Sequence, residues 1–301
     1  MREVLGYAAT HPSLDLRPIL IERREPAADE VVVDILYCGI CHTDVHQVQN
    51  EWKNTLYPCV PGHEIVGRVT AVGSDVSRIH VDEIVGVGSM IDSCGRCKNC
   101  REGFEQYCEA GFLATCNGNA RHPTEMNQTY GGYSQSIVVR DDFVFHIPAG
   151  IEPAYAAPIM CAGVTTYSAL RHWKAGPGVH VGTVPVPHDP NVYMDLLRRD
   201  GVYAVVGCLL PLKKAVDVSR AGVDRKSLAT SLSGGVAETQ DVLDFCALKN
   251  VLPEVRIITI DEVNQAFRQV DKGEIDFRYV IDMKTLAGHV NNDYLRAKVG
   301  L

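Results

Sequence analysis

Residues 94–108 read CGRCKNCREGFEQYC, with Cys94, Cys97, Cys100 and Cys108 spaced C-x2-C-x2-C-x7-C. No other feature constrains the fold as strongly. The segment is rich in Gly, Asn, Lys and Arg and has too little apolar surface to fold by itself. Four thiolates this close suit tetrahedral Zn2+, and a closed site of four cysteines is structural rather than catalytic. The metal then supplies the folding energy of the loop.

The chain has 301 residues and 11 cysteines. An odd count, with no apolar leader over the first residues, argues for reduced thiols or metal ligands rather than a disulfide framework. A cytoplasmic location is the expectation. The net charge of -8 argues against nucleic acid or an anionic membrane as partner, since both select a basic patch. No apolar run approaches the roughly 18 residues of a membrane span.

The texture changes along the chain. Up to about residue 150 it is β-rich, with β-branched runs at 31–36 and 137–139 punctuated by Gly and Pro. From 151 it alternates: a helix at 154–170, a buried strand at 202–206, a helix at 239–249. Asp261 is the expected N-cap of another helix, with Val263, Ala266, Phe267 and Val270 at i, i+3, i+4, i+7 and Gly273 as its stop. A last strand is expected at 277–282. The fold class is α/β: a β-rich domain over 1–150, completed by 278–301, and a parallel-sheet domain over 151–277.

A second set of candidate ligands is dispersed. Cys41 lies in CGICHTD (38–44), His63 and Glu64 follow Gly62, and Cys161 opens CAGVTTY (161–167). Two cysteines, a histidine and an open fourth position make a catalytic zinc site. Glu64 is an alternating ligand or a neighbour of one, and Asp44 can fix the tautomer of a ligand histidine. Each residue also has a bland reading: Cys161 as a buried helix thiol, His63 as a turn residue, Asp44 as an N-cap. Residue types and spacing leave both open.

The motif Gly62-His63-Glu64-x2-Gly67-x5-Gly73-x2-Val76 resembles the zinc signature of the medium-chain, zinc-dependent alcohol dehydrogenases. YPCVPGHE (57–64), GGYS (131–134), CAGVTTY, LRHW (170–173) and RYVID (278–282) are similar to the cinnamyl-alcohol-dehydrogenase type, a group of NADPH-preferring aldehyde reductases. The resemblance implies a GroES-like catalytic domain, a Rossmann-type domain and two Zn2+ per chain. It implies Cys41, His63 and Cys161 as ligands of a catalytic zinc, with Glu64 beside them. Thr43 passes the substrate proton, His46 relays it towards solvent or meets a ribose, and Trp52 lines the substrate pocket. Thr165, Val206, Gly207, Ser231 and Arg278 are the implied cofactor contacts. The implied reaction interconverts primary alcohols and aldehydes with NADP(H).

One part of the pattern is missing. Dinucleotide folds place a glycine-rich turn between the first strand and a helix N-terminus, so that backbone N–H groups reach the pyrophosphate. No G-x-G-x-x-G occurs; Gly176, Gly178 and Gly182 have the wrong spacing, and Gly86 and Gly88 lie in the β-rich part. The family pattern stops near Gly178 and resumes near Pro187, with on the order of 60–70 residues of βαβ structure absent between. The stretch GTVPVPHDP (182–190) is expected to be a surface seam, because three prolines cannot serve a central strand. The Rossmann-type domain is thus truncated, and dinucleotide binding is open to question. Two functions compete: an alcohol dehydrogenase holding NADP(H) through the surviving half, and a zinc protein with a hydrolytic, lyase or binding role. Loss of covering strands and helices predicts self-association as a homodimer, with the strand near 230–232 pairing across the axis.

Overall fold

The computed structural model describes residues 1–118, 128–176, 178–207 and 210–291. The final residues of the expected return, 292–301, lie outside them.

The β-rich part runs β1 (Arg2–Ala8), β2 (Arg17–Arg23), β3 (Glu30–Gly39), α1 (His42–Val48), β4 (Ile65–Val72), β5 (Ile84–Val87), β6 (Met90–Asp92), α2 (Lys98–Arg101), β7 (Leu113–Ala114), β8 (Ser136–Arg140) and β9 (Val144–His146). Then come α3 (Pro153–Ala156), a 3₁₀ turn at Ala157–Met160, α4 (Ala162–His172), β10 (Val179–Gly182), α5 (Asn191–Met194), β11 (Val202–Val205), α6 (Val218–Val223), β12 (Ser227–Thr230) and α7 (Val236–Lys249). The chain closes with β13 (Val255–Ile258), α8 (Val263–Lys272), β14 (Arg278–Asp282) and a 3₁₀ segment, Met283–Asn291.

Two sheets dominate. The larger has the order β13-β14-β3-β4-β5-β9, with β8 also pairing β3. Its inner strands are Val- and Ile-rich, and Val31, Val33, Val69, Val85 and Ile137 are almost wholly buried, as a pleated surface covered by other elements requires. The smaller sheet, β10-β11-β12, is parallel, with Val179 opposite Val202 and Ala204 opposite Ala229.

Several expectations need adjustment. The expected helix over 154–170 is broken at Cys161, whose φ of -129° and ψ of -70° separate the 3₁₀ turn from α4. Asp261 is not the cap before α8. Thr259 caps a short 3₁₀ turn, Ile260–Glu262, in a reciprocal box with Glu262, whose longer carboxylate reaches back to the Thr259 N–H. Val263, Ala266, Phe267 and Val270 do form one buried face, and Gly273 ends α8 with φ +68°. Gly182 belongs to a strand, β10, which the prolines after it disguise; residues 183–190 carry no helix or strand. Finally, β13 and α8 join the larger sheet and its core ahead of residue 278. Apolar contacts with Ile258, Phe267 and Val270 place them there.

Candidate active site

Strand pairing brings the dispersed residues together. β3 and β4 are antiparallel with Cys38 opposite Ile65. Whatever follows β3 therefore meets whatever precedes β4: Cys41 on one side, His63 and Glu64 on the other. The Gly39 N–H donates to the Glu64 carbonyl at 2.9 Å. A Cβ at Gly39 would lie 2.0 Å from Glu64 Oε2, so only glycine lets the carboxylate in. β14 pairs β3 with Val280 opposite Gly39, which delivers Arg278 to the same end.

Cys161 arrives from the opposite wall. It sits where the 3₁₀ turn gives way to α4, and Met160 beside it packs onto Gly86 and Gly88 of the β5 region. The Cys41 and Cys161 sulfurs are 4.0 Å apart. The ligand atoms of Cys41, His63, Glu64 and Cys161 all lie within 4.8 Å of one another.

Asp44 organises this cluster. It is the third residue of α1, and its Oδ2 accepts the Cys41 N–H at 3.0 Å while Cys41 caps the helix. Its Oδ1 accepts the Gly62 N–H and His63 Nδ1, both at 2.9 Å. With Nδ1 so engaged, His63 Nε2 is buried with no partner. A buried imidazole nitrogen left unpaired costs free energy unless something occupies it. Glu64 Oε2 is likewise buried and unpartnered, while its Oε1 accepts Arg278 Nη2 at 2.7 Å. Arg278 also donates to the Ile40 carbonyl at 2.9 Å.

The Cys161 hydrogen bond pulls the Cys41 thiol well below its ordinary value, against burial. Cys161 is pushed up by the same bond and by burial. Burial lifts Glu64 to about 8 despite the opposing Arg278. For His63 burial acts downward, but the Asp44 carboxylate and Cys161 outweigh it and raise the group. Two thiols, an imidazole and a carboxylate gathered this closely are the donor chemistry of a Zn2+ site.

These groups open into a cavity of about 590 Å³ that reaches the C-terminal ends of β10, β11 and β12. Thr43, His46, Trp52, Thr165, Val206, Gly207, Ser231 and Arg278 all line it. His46 donates or accepts through Nδ1 at 2.6 Å from Glu51, its Nε2 is buried without a partner, and its ring lies 5.5 Å from Trp52. Asp44 does not line the cavity; it acts from behind His63.

The cysteine loop closes on itself. Cys97 Sγ lies 3.4 Å and Cys94 Sγ 3.9 Å from Cys100 Sγ. Backbone N–H groups point at sulfur: Cys97 to Cys94 Sγ at 3.3 Å, Cys100 to Cys97 Sγ at 3.5 Å, Cys94 to Cys108 Sγ at 3.4 Å. The N–H groups of Arg96 and Cys97 bring the Cys94 thiol down to about 6, while burial pushes Cys100 up to about 12.

Two features escaped the sequence. Arg278 is an ion-pair partner of Glu64 as well as a cavity residue. Cys116 brings a further sulfur close to Asp44 and His63, and a lone cysteine in a loop carries no signal of that.

An open donor set on one wall of the cavity and the strand ends of a parallel βα sheet on the other make this the layout of a metal-dependent oxidoreductase. A model of the alcohol dehydrogenase GroES-like domain matches residues 27–149. An aldehyde reductase of Escherichia coli (strain K12) is 36% identical over 351 aligned positions, covering 95% of this chain and 99% of the relative. NADP-dependent alcohol dehydrogenase C of Mycobacterium tuberculosis is 36% identical over 352 positions, covering 95% of this chain and 100% of that one. A cinnamyl alcohol dehydrogenase structure from Sorghum bicolor superposes with a TM-score of 0.88 at 30% identity, covering 94% and 98% of the two chains. The chain belongs to the zinc-type medium-chain alcohol dehydrogenase family. The aligned spans exceed its 301 residues, so it is shorter than these relatives.

Proposed function

We propose that the chain interconverts primary alcohols and aldehydes with Zn2+ and a nicotinamide nucleotide. The observation that carries this is the unpaired, buried His63 Nε2 facing two thiols in a cavity that continues to the strand ends. Cys41, His63 and Cys161, with Glu64 beside them, would hold a catalytic zinc, and Cys94, Cys97, Cys100 and Cys108 would hold a second, structural one. Zinc supplies Lewis acidity towards the substrate oxygen, and the nicotinamide, NADP(H) by likeness to the named relatives, carries the hydride.

The chain's own residues do the rest. Asp44 keeps the His63 proton on Nδ1 and turns Nε2 to the donors. Thr43 Oγ1 takes or gives the substrate hydroxyl proton, and His46 Nε2, oriented through Nδ1 by Glu51, passes it towards solvent. Arg278 neutralises Glu64 and steadies it at the edge of the site. Trp52 shields the substrate end.

The division between a zinc domain, from the start to about residue 150 plus the returning β13, α8 and β14, and a small cofactor domain over the intervening chain is part of this reading. So are a homodimer paired through the β12 edge and a cytoplasmic setting, which suits the cysteines, all free among the described residues.

The test is zinc content with aldehyde reduction. The intact protein should carry two zincs and lose turnover to a chelator, and Cys41→Ser should retain one zinc and no turnover. A Cys41→Ser protein as active as the parent would overturn the reading. Light scattering checks the dimer, and a monomer at working concentration would exclude it.

A further inference from the structure

The smaller sheet is half of what a dinucleotide needs. Dinucleotide folds combine two βαβαβ halves, one for each nucleotide, and the ligand crosses the point where the strand order reverses. Here β10, β11 and β12 follow one another in chain order, all parallel. No reversal occurs, and among the described residues β10 pairs on one side only. One βαβαβ unit remains, the amount of structure that serves one nucleotide.

The end of β10 offers no pyrophosphate cradle. Gly182 is followed by Thr183, Val184 and Pro185, and the next helix, α5, has four residues. Pro185, Pro187 and Pro190 have no N–H to donate. The space beside Gly182 is filled by Tyr203, whose Oη lies 2.4 Å from where a Cβ would stand, and Gly207 lies against the Thr183 backbone. His188 Nε2 bonds the Tyr203 hydroxyl at 2.8 Å, and Tyr193 stacks on Tyr203 at 5.0 Å. The chain packs its own aromatic side chains along this flank. Three of the nearby cations are engaged with carboxylates: Lys214 with Asp189 at 2.7 Å, Arg220 with Asp195 at 2.5 Å, and Arg225 with Asp200.

The other end of the same surface is intact. The cavity runs unbroken from Cys41 and Cys161 past Thr165 to Val206, Gly207 and Ser231. These provide backbone groups and hydroxyls of the kind that hold a carboxamide and a ribose, next to the zinc donors.

We propose that this chain grips its hydride carrier by the nicotinamide–ribose end alone. It therefore accepts a reduced nicotinamide mononucleotide, NADH and NADPH without distinction. This rests on the oxidoreductase reading above. The adenosine and its phosphates contribute no contact, so a full dinucleotide gains nothing over its nicotinamide half. A cradled dinucleotide site would separate the two by about a hundredfold or more, since charge-assisted phosphate contacts carry much of the affinity.

The test titrates the zinc-loaded full chain with each of the three carriers and follows the fluorescence of the bound dihydronicotinamide, alongside initial rates of benzaldehyde reduction. The expected result is three weak dissociation constants within about threefold of one another, unchanged in Arg220→Ala and Lys214→Ala. NADPH binding tenfold or more tighter than the mononucleotide or NADH, or selective weakening of NADPH in Arg220→Ala, would overturn the inference while leaving the oxidoreductase reading intact. A zinc-loaded chain that binds none of the three up to about 10 mM and reduces no aldehyde would remove both.

Discussion

Replacing Asp44 by Asn tests whether one buried carboxylate holds the zinc donors in place. Asp44 is fully buried and accepts three hydrogen bonds, from Cys41 N, Gly62 N and His63 Nδ1. Asparagine is nearly isosteric but has a single acceptor oxygen. If that oxygen keeps Gly62 and His63, the new NH2 faces the Cys41 N–H, donor against donor. If it flips, two donors are orphaned instead. One buried unsatisfied N–H costs about 1–3 kcal/mol, and the surviving bonds lose their charge assistance, roughly half their strength. The sum is about 2–4 kcal/mol, or on the order of 4–8 °C in melting temperature. The His63 tautomer is also released, which costs zinc affinity about 10–100-fold. Competitive chelator titration should find one weakened zinc and one unaffected, and calorimetry the lower melting point. An Asp44→Asn protein that keeps both zincs at parental affinity and melts with the parent would refute the argument.

Cys100→Ser should remove a single zinc and raise the rate of proteolytic cleavage within residues 94–108 by about tenfold or more, because the loop has little apolar surface to hold it without the metal; equal protease resistance would contradict a metal-held loop. Gly62→Ala should destabilise by about 2–4 kcal/mol in urea denaturation, since φ is +105° and the added Cβ falls 2.6 Å from Tyr133 Cδ1 and 2.9 Å from Gly132 N; a parental midpoint would show that the turn relaxes freely. Lys214 and the Asn191 amide hold Asp189 down to about 2. A depressed carboxylate stabilises above its unfolded value and stops doing so as pH falls through its folded one. Amide protection across 185–193, taken relative to the intrinsic exchange rate at each pH, should therefore be constant above about pH 4 and fall between about pH 4 and 2, and Asp189→Asn should abolish that step.

The sequence disclosed what depends on local spacing and hid what depends on pairing. Cys94, Cys97, Cys100 and Cys108 meet because few residues separate them, so any fold of that loop brings them close. Cys41 and His63 could be proposed from motif, yet their meeting requires the antiparallel register that sets Cys38 opposite Ile65. The Arg278–Glu64 pair spans most of the chain and exists because β14 pairs β3; alternation of apolar residues cannot choose that partner. The Cys161 break follows Pro158, which falls in the 3₁₀ turn Ala157–Met160; the small residues around it, Ala156, Ala157 and Ala162, mask that signal by reading as continuous helix. Thr259 outcompeted Asp261 as a cap because Glu262 completes a box only with Thr259. β10 was obscured by the prolines that follow it.

The shorter cofactor sheet and the intact donor cluster are compatible because little structure is shared between them. Cys41, His63, Glu64, Asp44 and Arg278 are fixed by β3, α1, β4 and β14, and Cys161 by a turn wedged against Gly86 and Gly88. None lies on β10, β11 or β12, although α4, which Cys161 opens, packs against β10. The small sheet has its own apolar cluster, Met194, Leu197, Tyr203 and Val205, separate from the core beneath β3 and β4. On the reading proposed above, a sheet without further βαβ units beside β10 changes which part of a carrier can be held without moving a zinc donor. Metal affinity and carrier affinity should vary independently: substitutions at Thr165 or Ser231, which line the cavity, should shift carrier binding while zinc content stays constant, and Asp44→Asn should do the reverse. A substitution at Thr165 or Ser231 that strips zinc from the chain would show that the two parts are coupled after all.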